Sequence, residues 1–131
     1  MTTAPSDTVS TANAVRGFSS TPSVGCRALS LAPGAKLQPE LLADVGDGVL
    51  ISSVSGLHSG VNPVSGDFST GAEGLRISGG SLAEPLREFT IASTLQRMLA
   101  DVAAVGADIE WLPMRAAGVS LVVHDVTMSG S

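Results

Sequence analysis

His58 and Asp67 are the residues of this chain best suited to moving a proton. They stand nine positions apart in Gly56–Gly74, a nineteen-residue stretch that also holds five glycines, Ser59, Asn62 and Ser65. An imidazole titrates near neutrality and a carboxylate below it, so a turn that brought the two together would set up general acid–base chemistry. Asn62, Ser65 and Ser59 add hydrogen-bonding groups able to line a pocket or a subunit contact. The same residue types also suit a purely structural role. Glycine permits positive φ, and Asn, Asp and Ser close turns by bonding their own backbone. In that second reading the segment is a pair of tight turns between strands, Asp67 caps a turn at Gly66, and His58 faces solvent or a partner.

Soft metal ligands are few. His58, His124 and Cys26 lie in three unrelated local contexts, whereas a catalytic zinc takes three protein ligands and an open position. The chain by itself is therefore expected to bind no metal, and no cofactor is expected either. There is no His-Glu-x-x-His helix, no Cys-x-x-Cys pair and no Walker-type phosphate loop. His124, between Val123 and Asp125, reads as a strand histidine paired with a carboxylate.

Composition narrows the class further. A chain of 131 residues makes one domain, and its 44% hydrophobic and 15% charged residues suit a globular protein with no apolar run long enough for a bilayer. A net charge of −5 with seven scattered Lys and Arg argues against nucleic acid. The opening Thr, Ala, Pro and Ser do not read as a signal peptide. A single cysteine leaves no intrachain disulfide and agrees with a cytoplasmic location.

Several elements must position these groups. Residues 1–25 are rich in Ser, Thr, Ala and Pro and lack an apolar stripe, so they are expected to form a disordered or partner-draped arm ahead of a domain over 26–131. "RALSLAP" reads as a short strand ended by Pro33-Gly34. A short helix follows, with Pro39 at its first position, Leu37 stapled on Leu42, and Gly46 at its end. "GVLISSV" reads as a buried strand. Beyond the glycine-rich stretch, Gly79-Gly80 signals a two-residue hairpin, and Pro85 marks its second arm as an edge or an interrupted strand. Ile91, Leu95, Met98, Leu99, Val102 and Val105 recur at helical spacing, with Ser93 and Gln96 as a capping box and Gly106 as the stop. "VSLVVHDVTM", apolar on both faces, reads as a central strand. The sum is a β-dominated α+β domain with two helices.

"GVLISSVSGLHSGVNPVSGDFSTGAEGLRISGG" followed by "EPLREFTIASTLQRMLADVAAVGADIEW" resembles the C-terminal domain of the TldD/PmbA family, specifically its TldE (PmbA) branch, from about Arg27 to the C-terminus. The resemblance implies the same α+β fold and a chain normally several times longer, so this one reads as a fragment or as a separately encoded remnant that needs a partner. In the TldD branch a His-Glu-x-x-x-His helix, in a region without counterpart here, and a late cysteine hold the metal. The late segment here, "DIEWLPMRAAGVSL", has Pro113, Met114 and Arg115 and no thiol. The resemblance thus implies a non-metal TldE-like subunit that forms a heterodimer with a TldD-like protein, in a peptidase acting on small unfolded peptides. It extends to truncated TldE-like partners in antibiotic and other natural-product biosynthesis. Aziridine formation there would need a base for an amine and donors for a leaving sulfate.

Overall fold

The computed structural model describes residues 12–26, 28–113 and 116–130, and the chain divides into two compact units, Met1–Leu31 and Ala32–Ser131. In the first unit β1 (Ala14–Val15) pairs antiparallel with β2 (Ser23–Val24). Between them Arg16 donates from Nε to the Ser20 carbonyl at 3.1 Å, closing a local turn. This ladder lies inside the segment that composition marks as an arm. The strand expected over Arg27–Pro33 is not found: Arg27 lies outside the described residues, and residues 28–33 hold no strand. Leu29 and Leu31 alternate as a strand would, but both are exposed and no neighbouring strand pairs with them.

The second unit carries α1 (Gln38–Val45), β3 (Gly48–Ser55), α2 (Leu57–Gly60), β4 (Asp67–Ser78), β5 (Ser81–Thr94) and α3 (Leu95–Ala100). After these come β6 (Val102–Val105), β7 (Glu110–Leu112), β8 (Ala116–Gly118), β9 (Leu121–Val123) and β10 (Thr127–Ser129). The fold is a sheet-dominated α+β arrangement with three short helices among the described residues rather than the two expected. The main sheet is antiparallel in the order β10-β5-β4-β3, beside two-stranded ladders β6-β9 and β7-β8. No helix among the described residues is long and apolar enough to cross a membrane.

The β4–β5 hairpin organises the sheet. Gly79 and Gly80 have φ of 57° and 78° between paired Ser78 and Ser81, as a two-residue turn matched to strand twist requires. Along β4, Phe68, Thr70, Ala72 and Gly74 face inward and the phase then slips, so that Ile77 is the next buried residue. The slip coincides with register shifts against β5 between Ala72 and Gly74 and between Leu75 and Ile77, since one extra residue sends every later side chain to the other face. Gly74 is there for lack of room: a Cβ would sit 2.0 Å from the Leu50 carbonyl oxygen of β3. Pro85 pairs with Leu75 in a part of β5 that has no second neighbour, because β10 reaches only Thr90–Ala92.

α1 follows its local signals with a one-residue offset. Gln38 opens the helix, Leu37 is the N-cap, and Gly46 ends it at φ 69°. Glu40 accepts the Leu37 N–H at 2.8 Å, the carboxylate half of a capping box. Standing as N-cap with its side chain exposed, Leu37 is one position late for the expected staple on Leu42.

Three further expectations are corrected. The helix read from Ile91 to Gly106 shrinks to Leu95–Ala100. Ile91–Thr94 stay extended because β4 flanks them and β10 also pairs with Ile91 and Ala92, and Val102–Val105 pair with β9. Thr94, not Ser93, is the N-cap, accepting the Arg97 N–H at 3.1 Å. "GVLISSV" is a strand, but an edge strand with Ile51 and Val54 exposed, since nothing among the described residues pairs with its outer side. The terminal "VSLVVHDVTM" is not one central strand. It splits into β9, paired only with β6, and β10 at the rim of the main sheet, because Asp125 turns the chain at φ 55° and the His124 N–H donates to the Asp101 carbonyl.

Candidate functional site

The glycine-rich stretch folds in two parts. Gly56, at φ 76°, starts the single turn α2, which carries His58 and Ser59; the Ser59 hydroxyl bonds the Gly56 carbonyl at 3.4 Å. His58 is exposed. The second part is a knot of hydrogen bonds from Asn62 to Asp67. Asn62 Oδ1 accepts the N–H groups of Val64 at 2.9 Å and Ser65 at 3.3 Å, while the Gly66 N–H donates to the Asn62 carbonyl and the Asn62 N–H to that of Asp67, each at 2.8 Å. Ser65 Oγ donates to Asp67 Oδ2 at 2.6 Å and accepts the Asp67 N–H at 3.3 Å. Gly66 holds φ 80°, which glycine adopts at no steric cost.

The first turn of α3 then ties the knot in place: Gln96 donates from Nε2 to the Ser65 carbonyl at 3.0 Å and the Leu95 N–H to the Gly66 carbonyl at 2.8 Å. Of the five polar residues singled out in this stretch, Asn62, Ser65 and Asp67 are therefore joined directly. No hydrogen bond or ion pair among the described residues links His58 to Asp67.

Asp67 also opens onto a shallow cleft of about 380 Å³, where it shares the lining with Thr94, Arg97, Asp125 and Thr127. Arg97 forms a 3.6 Å ion pair with Asp101 one helical turn on and remains largely exposed. The cleft thus joins one guanidinium, suited to a carboxylate or sulfate, with two carboxylates able to hold an amine or accept a proton. Arg97 and Asp125 escape a reading of the sequence because they lie 30 and 58 positions from Asp67. The positive φ of Asp125 is a tertiary fact with no local motif.

A larger groove of about 970 Å³ lies between α1, the main sheet and the β9–β10 segment. Gln38 of α1 donates to Ser120 Oγ at 3.1 Å, and Ser120 in turn donates from Oγ and N to Asp108 at 2.6 and 3.1 Å. The Ser120 hydroxyl first, then its N–H, holds the Asp108 carboxyl below the usual range. His124 lines this groove from the connection between β9 and β10, not from a strand, and is exposed with no carboxylate partner among the described residues.

His58 and His124 belong to no cluster of metal-ligating side chains among the described residues. His58 is on α2, His124 precedes β10 and Cys26 belongs to the first unit. Among the described residues no three His, Cys, Asp or Glu side chains gather as ligands.

Compared with known proteins, residues 2–130 match the family described as PmbA/TldA metallopeptidase C-terminal domain, a match that starts well before Arg27. The chain is 46% identical over 70 residues to a Metalloprotease PmbA homolog of Haemophilus influenzae, covering 53% of this chain and 15% of that protein. It is 35% identical over 71 residues to Metalloprotease PmbA of Escherichia coli O157:H7, covering 54% and 15%. Among solved structures it is similar to one from Thermotoga maritima named as a candidate modulator of a DNA gyrase. There the TM-score is 0.71 at 31% identity, over 75% of this chain and 23% of the other. The chain spans about 15% of the length of these curated relatives.

Proposed function

Because the chain belongs to the PmbA/TldA metallopeptidase C-terminal domain family, we propose that it is a TldE-like subunit that holds no metal itself and completes the active cavity of a complex with a TldD-like partner. One observation carries this reading. The second unit buries only Leu41, Phe68, Ala72, Ile77 and Phe89 among its described apolar side chains, and leaves Ile51, Val54, Leu95, Leu99, Trp111 and Leu121 exposed. Apolar side chains left open in such number support the reading that another surface covers them in a complex. The separate positions of His58 on α2 and His124 ahead of β10 support leaving the metal to that partner, and the lone cysteine suits a reducing, cytoplasmic setting. In the complex Asp67 moves or holds a proton and Arg97 anchors an acidic group of the substrate, on a turn braced by Ser65 and Asn62.

The Asp67–Arg97–Asp125 cleft favours a second reading, a biosynthetic ring closure. A carboxylate takes the proton of a substrate amine, the nitrogen attacks the carbon bearing a sulfate ester, and the C–O bond breaks with its electron pair leaving on sulfate. Arg97 would hold that sulfate.

The test is purification from the native host, identification of the co-purifying chain, elemental analysis and assays for short-peptide hydrolysis and for sulfate release. A TldD-like partner is expected. Metal content should stay constant in His58→Ala and Asp67→Ala, with the latter losing activity. A monodisperse, cooperatively melting monomer, or zinc lost on replacing His58 or His124, would sink the proposal. Peptide hydrolysis without sulfate chemistry would remove the second reading.

A further inference from the structure

The large groove has an unusual charge pattern. Its floor is apolar, with Leu41, Leu42, Val49, Ile91, Met98 and Val122 among the lining, and its charged side chains are Asp44, Asp47, Asp108, Glu110 and Asp125. Five of the chain's twelve carboxylates line it, and none of the four described Lys and Arg of the second unit, Lys36, Arg76, Arg87 and Arg97, does. His124 is the one titratable base among the described lining residues. Three of the acids are answered from within the chain: Asp44 by Lys36, Asp47 by the Gly79 N–H, and Asp108 by Ser120. Glu110 and Asp125 are exposed and have no such side-chain bond among the described residues.

We propose that this groove seats a segment of the partner subunit in which apolar residues alternate with Lys or Arg, a surface that rests on the heteromeric reading above. The apolar floor supplies burial, while the single sign of charge around it selects the partner. An acidic segment would place like charges together with little water between them, and such contacts reject wrong partners more strongly than matched ones reward right ones. A second copy of this chain is disfavoured for the same reason, since it would bring a net charge of −5 and the same carboxylates. Glu110 and Asp125, the two acids with spare capacity, pair with the incoming cations.

The experiment uses the complex assembled in the native host. A photo-cross-linking residue replaces Leu112, which lines the groove, or Leu82, which does not, and the attached peptides are read by mass spectrometry. The Leu112 probe should capture a partner peptide containing both apolar residues and Lys or Arg, and the Leu82 probe should not capture it. In parallel, Glu110→Gln with Asp125→Asn, the asparagine chosen because it tolerates positive φ, should weaken association by about 10-fold at low salt and flatten its salt dependence. Capture of an acidic peptide, of another copy of this chain or of nothing overturns the inference, as does an unchanged salt slope. If the captured peptide is apolar and basic but comes from a protein unlike TldD, the docking inference stands and the partner reading falls. If a TldD-like complex forms and only the Leu82 probe reacts with it, the reading stands and the inference falls.

Discussion

The β4–β5 hairpin and the stretch after α3 make opposite use of apolar residues. The hairpin contains charged Glu73, Arg76, Glu84, Arg87 and Glu88, yet it supplies Phe68, Thr70, Ala72, Ile77 and Phe89 to the buried set. The stretch from Val102 to Ser129 is richer in valine and alanine, and its only buried described residue is Gly106. Pairing explains the difference. Strands of 12 and 14 residues joined by a two-residue turn close a long ladder at little loop entropy, whereas strands of three or four residues make two small ladders and one rim strand. In the sheet, hydrophobic sequence is buried chiefly along the one long, doubly held ladder. The second region therefore leaves Trp111, Leu112, Leu121 and Met128 exposed.

This contrast breaks most sharply at Phe89, 2% exposed. Phe89→Ala should cost about 3–5 kcal/mol, read as a lower denaturation midpoint of the complex. A loss below about 1 kcal/mol would mean the hairpin is not the core. Gly74→Ala comes next, since its Cβ would collide with the Leu50 carbonyl. About 1–3 kcal/mol is expected, with hydrogen exchange rising first along β3.

Thr94→Ala probes the junction where the hairpin passes into α3, and the lost cap should cost about 1 kcal/mol, with protection lost at Leu95–Ala100. Trp111→Ala tests the other side of the comparison. At 75% exposure it should change the stability of the chain by no more than about 0.5 kcal/mol while weakening partner association, measured by titration calorimetry. Equal losses in both would erase the distinction between the regions.

The smallest effect is one of pH. The Ser120 hydroxyl and N–H hold the Asp108 carboxyl below its ordinary value, so in the window between folded and unfolded values the unfolded chain binds more protons and stability rises with pH. The contribution is present above the unfolded value of about 4 and is lost as pH falls through the folded one. Asp108→Asn should flatten the acid side of the stability profile, and Ser120→Ala should do the same. An unchanged profile in both would separate this bond from the tie between α1 and the β9 region.

Local sequence determined those features whose cause lies within a few residues. Pro39 and Gly46 frame α1, Gly79-Gly80 makes the hairpin, and the polar cluster at Asn62–Asp67 closes a turn, because each depends on a dihedral preference or on a side chain reaching its own backbone. The collinear motifs from Gly48 to Trp111 were likewise enough for the family. Tertiary structure alone decided the rest. Ile91–Thr94 suit helix or strand, and the ladders offered by β4 and β10 chose strand. The apolar run Leu121–Val123 suits a sheet centre, and a single backbone turn at Asp125 sent it and the strand that follows to two different rims. Arg97 and Asp125 share a cleft with Asp67 only because β5 pairs with both β4 and β10 and runs on into α3, an arrangement of long-range pairing that no spacing along the chain encodes.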